Sequence, residues 1–194
     1  MKLMAMDKQF FASQWPAALS YDDYVRTGTE EQQRRWRQVF DVVRLADKQS
    51  QLIRSFSRDV HVLVVSGIWC GDCVQQCPLM HHIAMANPQR IHLRFVDRDA
   101  HRELSQQLKI NGGDRVPVAI FLAEDFELCS IYGERTLNRY RTIARRQLGP
   151  ACEIAIAPPD ADEIAATLQD WLDEFERIQL LLRLSPRLRQ KHGD

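Results

Sequence analysis

The chain has 194 residues, with Lys plus Arg and Asp plus Glu balanced at 26 each. That length allows one domain with appendages or two very small ones, and zero net charge offers no general attraction for a polyanion, so no nucleic-acid partner is expected. The start, Met1 to Asp7, lacks the unbroken apolar run of about 7 to 15 residues that a secretory signal needs, and no window reaches transmembrane length; a cytoplasmic location without a membrane partner is expected.

In chain order, residues 1–28 carry Phe10, Phe11, Trp15, Tyr21 and Tyr24 among Pro16 and Gly28, and read as short turns or one short helix with its aromatics turned inward. Thr29-Glu30-Glu31-Gln32 has the form of a capping box, and Trp36, Val39, Phe40, Val43 and Ala46 recur at helical spacing, which predicts a helix from about 30 to 47. A short helical stretch with Leu52, Ile53 and Phe56 leads to His61-Val62-Leu63-Val64-Val65-Ser66, a β-branched run of the kind covered on both faces of a sheet.

After Cys73 a helix is expected through Leu79, Met80, Ile83 and Ala84 to Asn87-Pro88, with Pro78 an interior kink. Ile91, Leu93, Phe95 and Asp97 alternate as a second strand. A short helix is predicted over residues 101–109, stopped by Gly112 and Gly113. Pro117 opens a third strand, Val118 to Leu122, since its missing N–H is tolerated at a strand's first residue. Glu124-Asp125 turns the chain into Phe126–Tyr132, an antiparallel partner, and a basic helix spans 136–148. Gly149-Pro150 and Pro158-Pro159 mark a linker.

Asp160 and Glu163 are set to cap a final helix running to Ser185-Pro186. Its stripe of Ile164, Leu168, Trp171, Phe175, Ile178 and Leu182 must be buried, against its own domain or in a homodimer. Arg187, Arg189, Lys191 and His192 read as a solvated tail. The fold class is α/β: a mixed sheet flanked by helices, with extra N-terminal helices and a long C-terminal helix. It divides into an N-terminal helical extension (1–57), an α/β domain (58–148) and a linker with its helix (149–194).

Five cysteines stand at 70, 73, 77, 129 and 152. An odd number with three clustered suits a redox pair or a metal site better than a secreted disulfide framework. A dithiol at a helix start has direct chemical meaning. Unpaired N–H groups and the helix dipole favour a thiolate at Cys70, and one helical turn brings Cys73 within reach of it. Cys70 is therefore expected to attack and Cys73 to resolve. Trp69 offers a flat apolar contact or simply closes the sheet end, and Gly71 allows a tight turn and an approaching chain. Asp72 opposes thiolate formation by like-charge repulsion, so the Cys70 pKa is expected above that of an Asp72→Ala variant.

Cys77 shares a helix face with Cys73 and reads three ways: a buried small residue, an accessory redox thiol or a metal ligand. As a ligand it would join Cys70, Cys73 and His81 or His82 around zinc or an iron–sulfur cluster, which one rigid helix wraps poorly. His61 reads as a strand-edge residue. Arg94, Asp97, Arg98 and Asp99 form a strand-end charge cluster that either guides a partner or meets solvent.

Trp69-Cys70-Gly71-Asp72-Cys73, with Pro78 five residues beyond the second cysteine, resembles the thioredoxin superfamily motif, and in particular a bacterial thioredoxin family protein with helical extensions. The resemblance covers about residues 58–148. It implies that Val116-Pro117 is a cis-proline dipeptide beside the dithiol and that Gly133 belongs to the peptide-contact surface. It implies a thiol–disulfide oxidoreductase without a built-in cofactor, acting on a disulfide-containing protein or a small thiol substrate and drawing electrons from a separate disulfide reductase or a small thiol. Two departures stand out: Asp72 replaces the usual Pro, and Val64 stands where a buried Asp would handle the proton of the resolving thiol. Asp72, water or a carboxylate elsewhere in the chain would then have to take that proton. The alternatives are a non-catalytic interaction or redox-sensing module and a cysteine-ligated metal-binding protein.

Overall fold

In the computed structural model the described residues are 6–148 and 162–194. Helices α1 (Lys8–Gln14), α2 (Tyr21–Arg26), α3 (Glu30–Val42) and α4 (Asp47–Arg54) precede strand β1 (Val60–Ser66). Then follow α5 (Gly71–Ala86), β2 (Ile91–Asp97), α6 (Arg102–Ser105), β3 (Val118–Ala123), β4 (Leu128–Gly133), α7 (Leu137–Leu148), α8 (Glu163–Leu184) and α9 (Pro186–His192). The sheet order is β2-β1-β3-β4. β1 and β2 are parallel across the α5 crossover, from Val60 opposite Ile91 to Ser66 opposite Asp97, and β3 and β4 add an antiparallel hairpin.

β1 lies between β2 and β3, which accounts for its nearly continuous apolar run: Val62, Leu63 and Val64 are fully buried. α5 is apolar on most sides because it is sandwiched; it packs against α3, α4 and α8 as well as β2. The N-terminal segment covers the outer edge of β2, where Leu19 and Phe95 exchange two backbone hydrogen bonds of 2.8 Å. Tyr24 stacks on Phe95 with centroids 5.5 Å apart. At the other end, Phe175 and Trp171 of α8 meet Phe121 and Tyr132 edge-on, both at 5.1 Å.

Several expected elements shift. Residues 6–28 form two short helices, α1 and α2, rather than short turns or one short helix. The helix from residue 30 carries both bonds of the Thr29–Gln32 capping box but ends at Val42. Gln49 accepts the Ala46 N–H at 2.9 Å and starts α4 separately. The helix expected over 101–109 shrinks to Arg102–Ser105. The second hairpin strand starts at Leu128 because Phe126 takes a left-handed φ of 65° in the turn. α8 is capped by Asp162, which accepts the Ala165 N–H at 3.0 Å; Asp160 lies outside the described residues. His61 is on the central strand, its ring 4.5 Å from that of Phe126.

Most of the α8 stripe is buried within the chain: Leu168, Trp171, Phe175, Ile178 and Leu182 are at 0–1% exposure, joined by Leu172, whereas Ile164 in the first turn is 37% exposed. The apolar face that motivated a homodimer is therefore already covered. The C-terminal tail is not simply solvated either. Leu188 is buried, and Arg187, Lys191 and His192 pair with Asp125 and Glu124 at the β3–β4 turn. Among the described residues no helix is long and apolar enough to cross a membrane.

Candidate active site

β1 ends at Ser66 and delivers Gly67, Ile68 and Trp69 to the start of α5, where Cys70 is the N-cap with φ −78° and ψ 127°. Trp36 fixes this turn by donating its indole N–H to the Ile68 carbonyl at 2.9 Å. Cys70 is half-buried and Cys73, in the first helical turn, is fully buried. The Gly67 N–H donates to Cys73 Sγ at 3.4 Å, and the Cys70 thiol points at the Val116 carbonyl, 3.7 Å away.

The Val116–Pro117 bond is cis. Gly133 pairs with Val118 on the neighbouring strand. A Cβ at Gly133 would sit 2.6 Å from the Pro117 carbonyl oxygen and 3.1 Å from Val118 Cα, so only glycine lets the two backbones come this close. The turn at Gly71 makes no such demand: a Cβ there would meet no atom within 4 Å. Gly71 thus leaves open space beside Cys70 but is not needed for tightness.

Trp69 is 46% exposed, and the Arg98 guanidinium lies over its ring, 4.7 Å from the centroid. Arg98 is held there by the Asp114 carbonyl at 3.1 Å and by the Asp99 carboxylate. One half of the strand-end charge cluster therefore serves the site. Arg94 lies instead against Trp15, its guanidinium 5.0 Å from that ring.

Asp72 is not a free carboxylate. One oxygen takes Arg135 at 2.6 Å and the other takes Arg139 through two nitrogens at 3.2 Å. Arg135 also binds Glu134 at 2.8 Å, and Arg139 reaches Glu163 at the start of α8. Asp72 therefore ties the dithiol helix to α7 and, through Arg139 and Glu163, to α8. Gln76, one turn on, donates to the Glu134 carbonyl at 2.9 Å and holds the same segment.

Burial pushes the Cys73 thiol well up. Cys70 is raised too, first by the hydrogen bond it shares with Cys73 and then by burial, while the N–H groups of Cys73 and Asp72 pull it down. Both thiols are thus shifted toward the protonated form, so the expected lowering of Cys70 by the helix start is outweighed by its hydrogen bond with Cys73 and by burial.

Cys77 and Pro78 are buried within α5. Cys77 Sγ lies 3.7 Å from the Ser66 hydroxyl. The ladder of Cys73, Cys77 and His81 is not a ligand set, because His81 turns away to stack on Tyr21 with centroids 4.1 Å apart. His82 bonds the Phe40 carbonyl at 3.0 Å. Among the described residues no group of three or more His, Cys, Asp or Glu is placed to hold a metal. Cys129 is half-buried in β4 with its thiol pushed up to about 11 by burial; Cys152 lies outside the described residues.

The thioredoxin family profile matches residues 18–144. The chain belongs to the thioredoxin family. The match begins at Ala18, so it takes in α2, α3 and α4 as well as the sheet. A comparison with curated proteins yields no match. Among solved structures the chain is similar to a protein of unknown function from Pseudomonas aeruginosa, with TM-score 0.61 and 19% identity over 83% of this chain and 91% of that one. It is also similar to an HIV epitope scaffold, with TM-score 0.58 and 18% identity over 87% and 92% of the two chains. These likenesses extend the shared fold across most of both chains. The thioredoxin fold with a Cys70–Cys73 centre supports a thiol–disulfide redox role.

Arg135, Arg139 and Glu134 join the site from far along the chain and carry no local signal in the sequence, and Ser66 is legible there only as the end of a strand. For Arg98 a signal existed: in a parallel pair Asp97 stands opposite Ser66, so the residue after it falls beside the turn to Trp69.

Proposed function

We propose that the protein is a thiol–disulfide oxidoreductase that reduces protein or small-molecule disulfides through Cys70 and Cys73. The observation that carries this reading is a half-buried Cys70 at the N-cap of α5, facing the Val116 carbonyl across a cis Val116–Pro117 bond, with Cys73 buried one turn behind. Cys70 loses its proton and its thiolate attacks one sulfur of the substrate disulfide. The substrate S–S bond breaks, a mixed disulfide forms and the first substrate thiol leaves with a proton. Cys73 then attacks Cys70, the mixed disulfide breaks, and the second substrate thiol leaves. Two electrons and two protons have passed to the substrate, and a Cys70–Cys73 disulfide remains for a separate reductase or a small thiol to reduce.

An extended substrate segment would lie along Val116, Pro117 and Gly133, with the Trp69 face and the open side of Gly71 flanking the reacting sulfur. Asp72 and Pro78 support the helix rather than touch substrate. The non-catalytic reading rests on spare surface from the terminal helices; their aromatic side chains Phe10, Phe11, Trp36, Trp171 and Phe175 lie in the core, while Val42, Leu180 and Leu184 stay exposed. The test is a glutathione redox titration with mass mapping of trapped thiols: a reversible disulfide between Cys70 and Cys73 is expected, and failure of the two to pair reversibly refutes the proposal.

A further inference from the structure

In this mechanism Cys73 must give up its proton where water does not reach. Cys73, Cys77 and Ser66 all have 0% exposure, and Val64, two residues before Ser66, is apolar. Among the described residues the Gly67 N–H donates to the Cys73 sulfur at 3.4 Å, and the Ser66 hydroxyl, from the residue just before Gly67, acts to lower the Cys73 pKa against burial. The Ser66 hydroxyl itself lies 3.7 Å from Cys77 Sγ, one helical turn on from Cys73. Tyr24 of α2, 1% exposed, faces Ser66 from beyond, but its hydroxyl completes no hydrogen bond. The titratable groups around Cys73 are thus Cys70 and Cys77 on its own helix and Tyr24 on α2, with Asp97 at the end of β2 facing Tyr24. A thiol is a weak donor, whereas a hydroxyl rotates and donates well. In a buried, low-dielectric site a hydrogen bond to a charged sulfur gains strength.

We propose that Ser66 is the hydrogen-bond donor that stabilises the Cys73 thiolate during resolution, its hydroxyl turning from Cys77 to Cys73 as the proton leaves. The assignment rests on the disulfide-exchange reading above. In the mixed disulfide Cys73 loses its proton and the Cys70–Cys73 bond forms as the Cys70–substrate bond breaks. The departing substrate sulfur keeps the electron pair and ends with the proton, and Ser66 retains its own.

The test uses the full chain and the chromogenic aromatic disulfide dithiobis-nitrobenzoate in stopped flow. Attack by Cys70 releases one coloured thiol and resolution by Cys73 releases the second. Ser66→Ala is expected to leave the first phase unchanged, to slow the second about tenfold at neutral pH and to raise its pH midpoint by about one unit. Ser66→Thr should restore both, and the isosteric pair Ser66→Thr and Ser66→Val reads the same contrast should the alanine variant fold poorly. A second phase with unchanged rate and midpoint in Ser66→Ala, or in Ser66→Val relative to Ser66→Thr, overturns the assignment. Loss of the second phase in Cys77→Ala but not in Ser66→Ala overturns it as well, in favour of the thiol. A wild-type protein that releases only the first thiol refutes the disulfide-exchange reading itself, and this assignment with it.

Discussion

Replacing Asp72 with Asn probes how the reactive helix is held and how its charge is balanced. The side chains of Asp72, Arg135 and Arg139 are 14%, 21% and 10% exposed, so the substitution strands two largely buried guanidinium groups. Removing one partner of a buried ion pair costs about 3 to 5 kcal/mol. Here Arg135 keeps Glu134 and Arg139 keeps Glu163, which brings the expected cost to about 2 to 3 kcal/mol. For a chain of this size that lowers Tm by about 4 to 12 °C. The uncovered positive charge near the helix start also favours the Cys70 thiolate and lowers its pKa by about one unit. Thermal unfolding and the pH dependence of Cys70 alkylation, read by mass spectrometry, measure the two effects. Adding Arg139→Met to Asp72→Asn should recover part of the lost stability by removing a stranded charge. A Tm within about 1 °C of wild type, or a Cys70 midpoint that is unchanged or raised, would refute the reasoning.

Gly133→Ala places a Cβ 2.6 Å from the Pro117 carbonyl oxygen, and because both neighbours are backbone the overpacking should cost about 1 to 3 kcal/mol and slow the first attack by Cys70. Unchanged Tm and alkylation rate would contradict this. Because burial holds the Cys73 thiol well above the usual range, the unfolded chain ionises first, at about pH 8.5; the native state then binds more protons, and stability falls as pH rises beyond that point. Cys73→Ala should flatten the fall of Tm across that alkaline range in reducing buffer, and parallel slopes would count against the burial argument.

Much of the fold was legible because its causes are local. The apolar run of residues 62–65 marks a strand covered on both faces, and the Thr29–Gln32 capping box needs only its own four residues. The dithiol, too, stands where a buried strand meets a helix start. What stayed hidden depends on residues distant in sequence. Asp72 looks like an ordinary first-turn acid until Arg135 and Arg139 are brought to it from 63 and 67 residues away. Periodicity alone carried the third helix past Val42, whereas Gln49 closing back on Ala46 starts a new one. The basic tail read as solvated because nothing near it in sequence is acidic enough to hold it; its partners are Glu124 and Asp125.

The most direct test of the central claim is the reduction potential of the Cys70–Cys73 pair, from glutathione redox titration with mass mapping. Strongly oxidising dithiols stabilise their reduced form as a thiolate, whereas here the bond shared by the two sulfurs and burial shift Cys70 upward and burial shifts Cys73 upward. The expected result is one reversible disulfide between Cys70 and Cys73 with a potential of about −270 mV; a potential of about −120 mV, or failure of Cys70 and Cys73 to pair reversibly, would contradict the account.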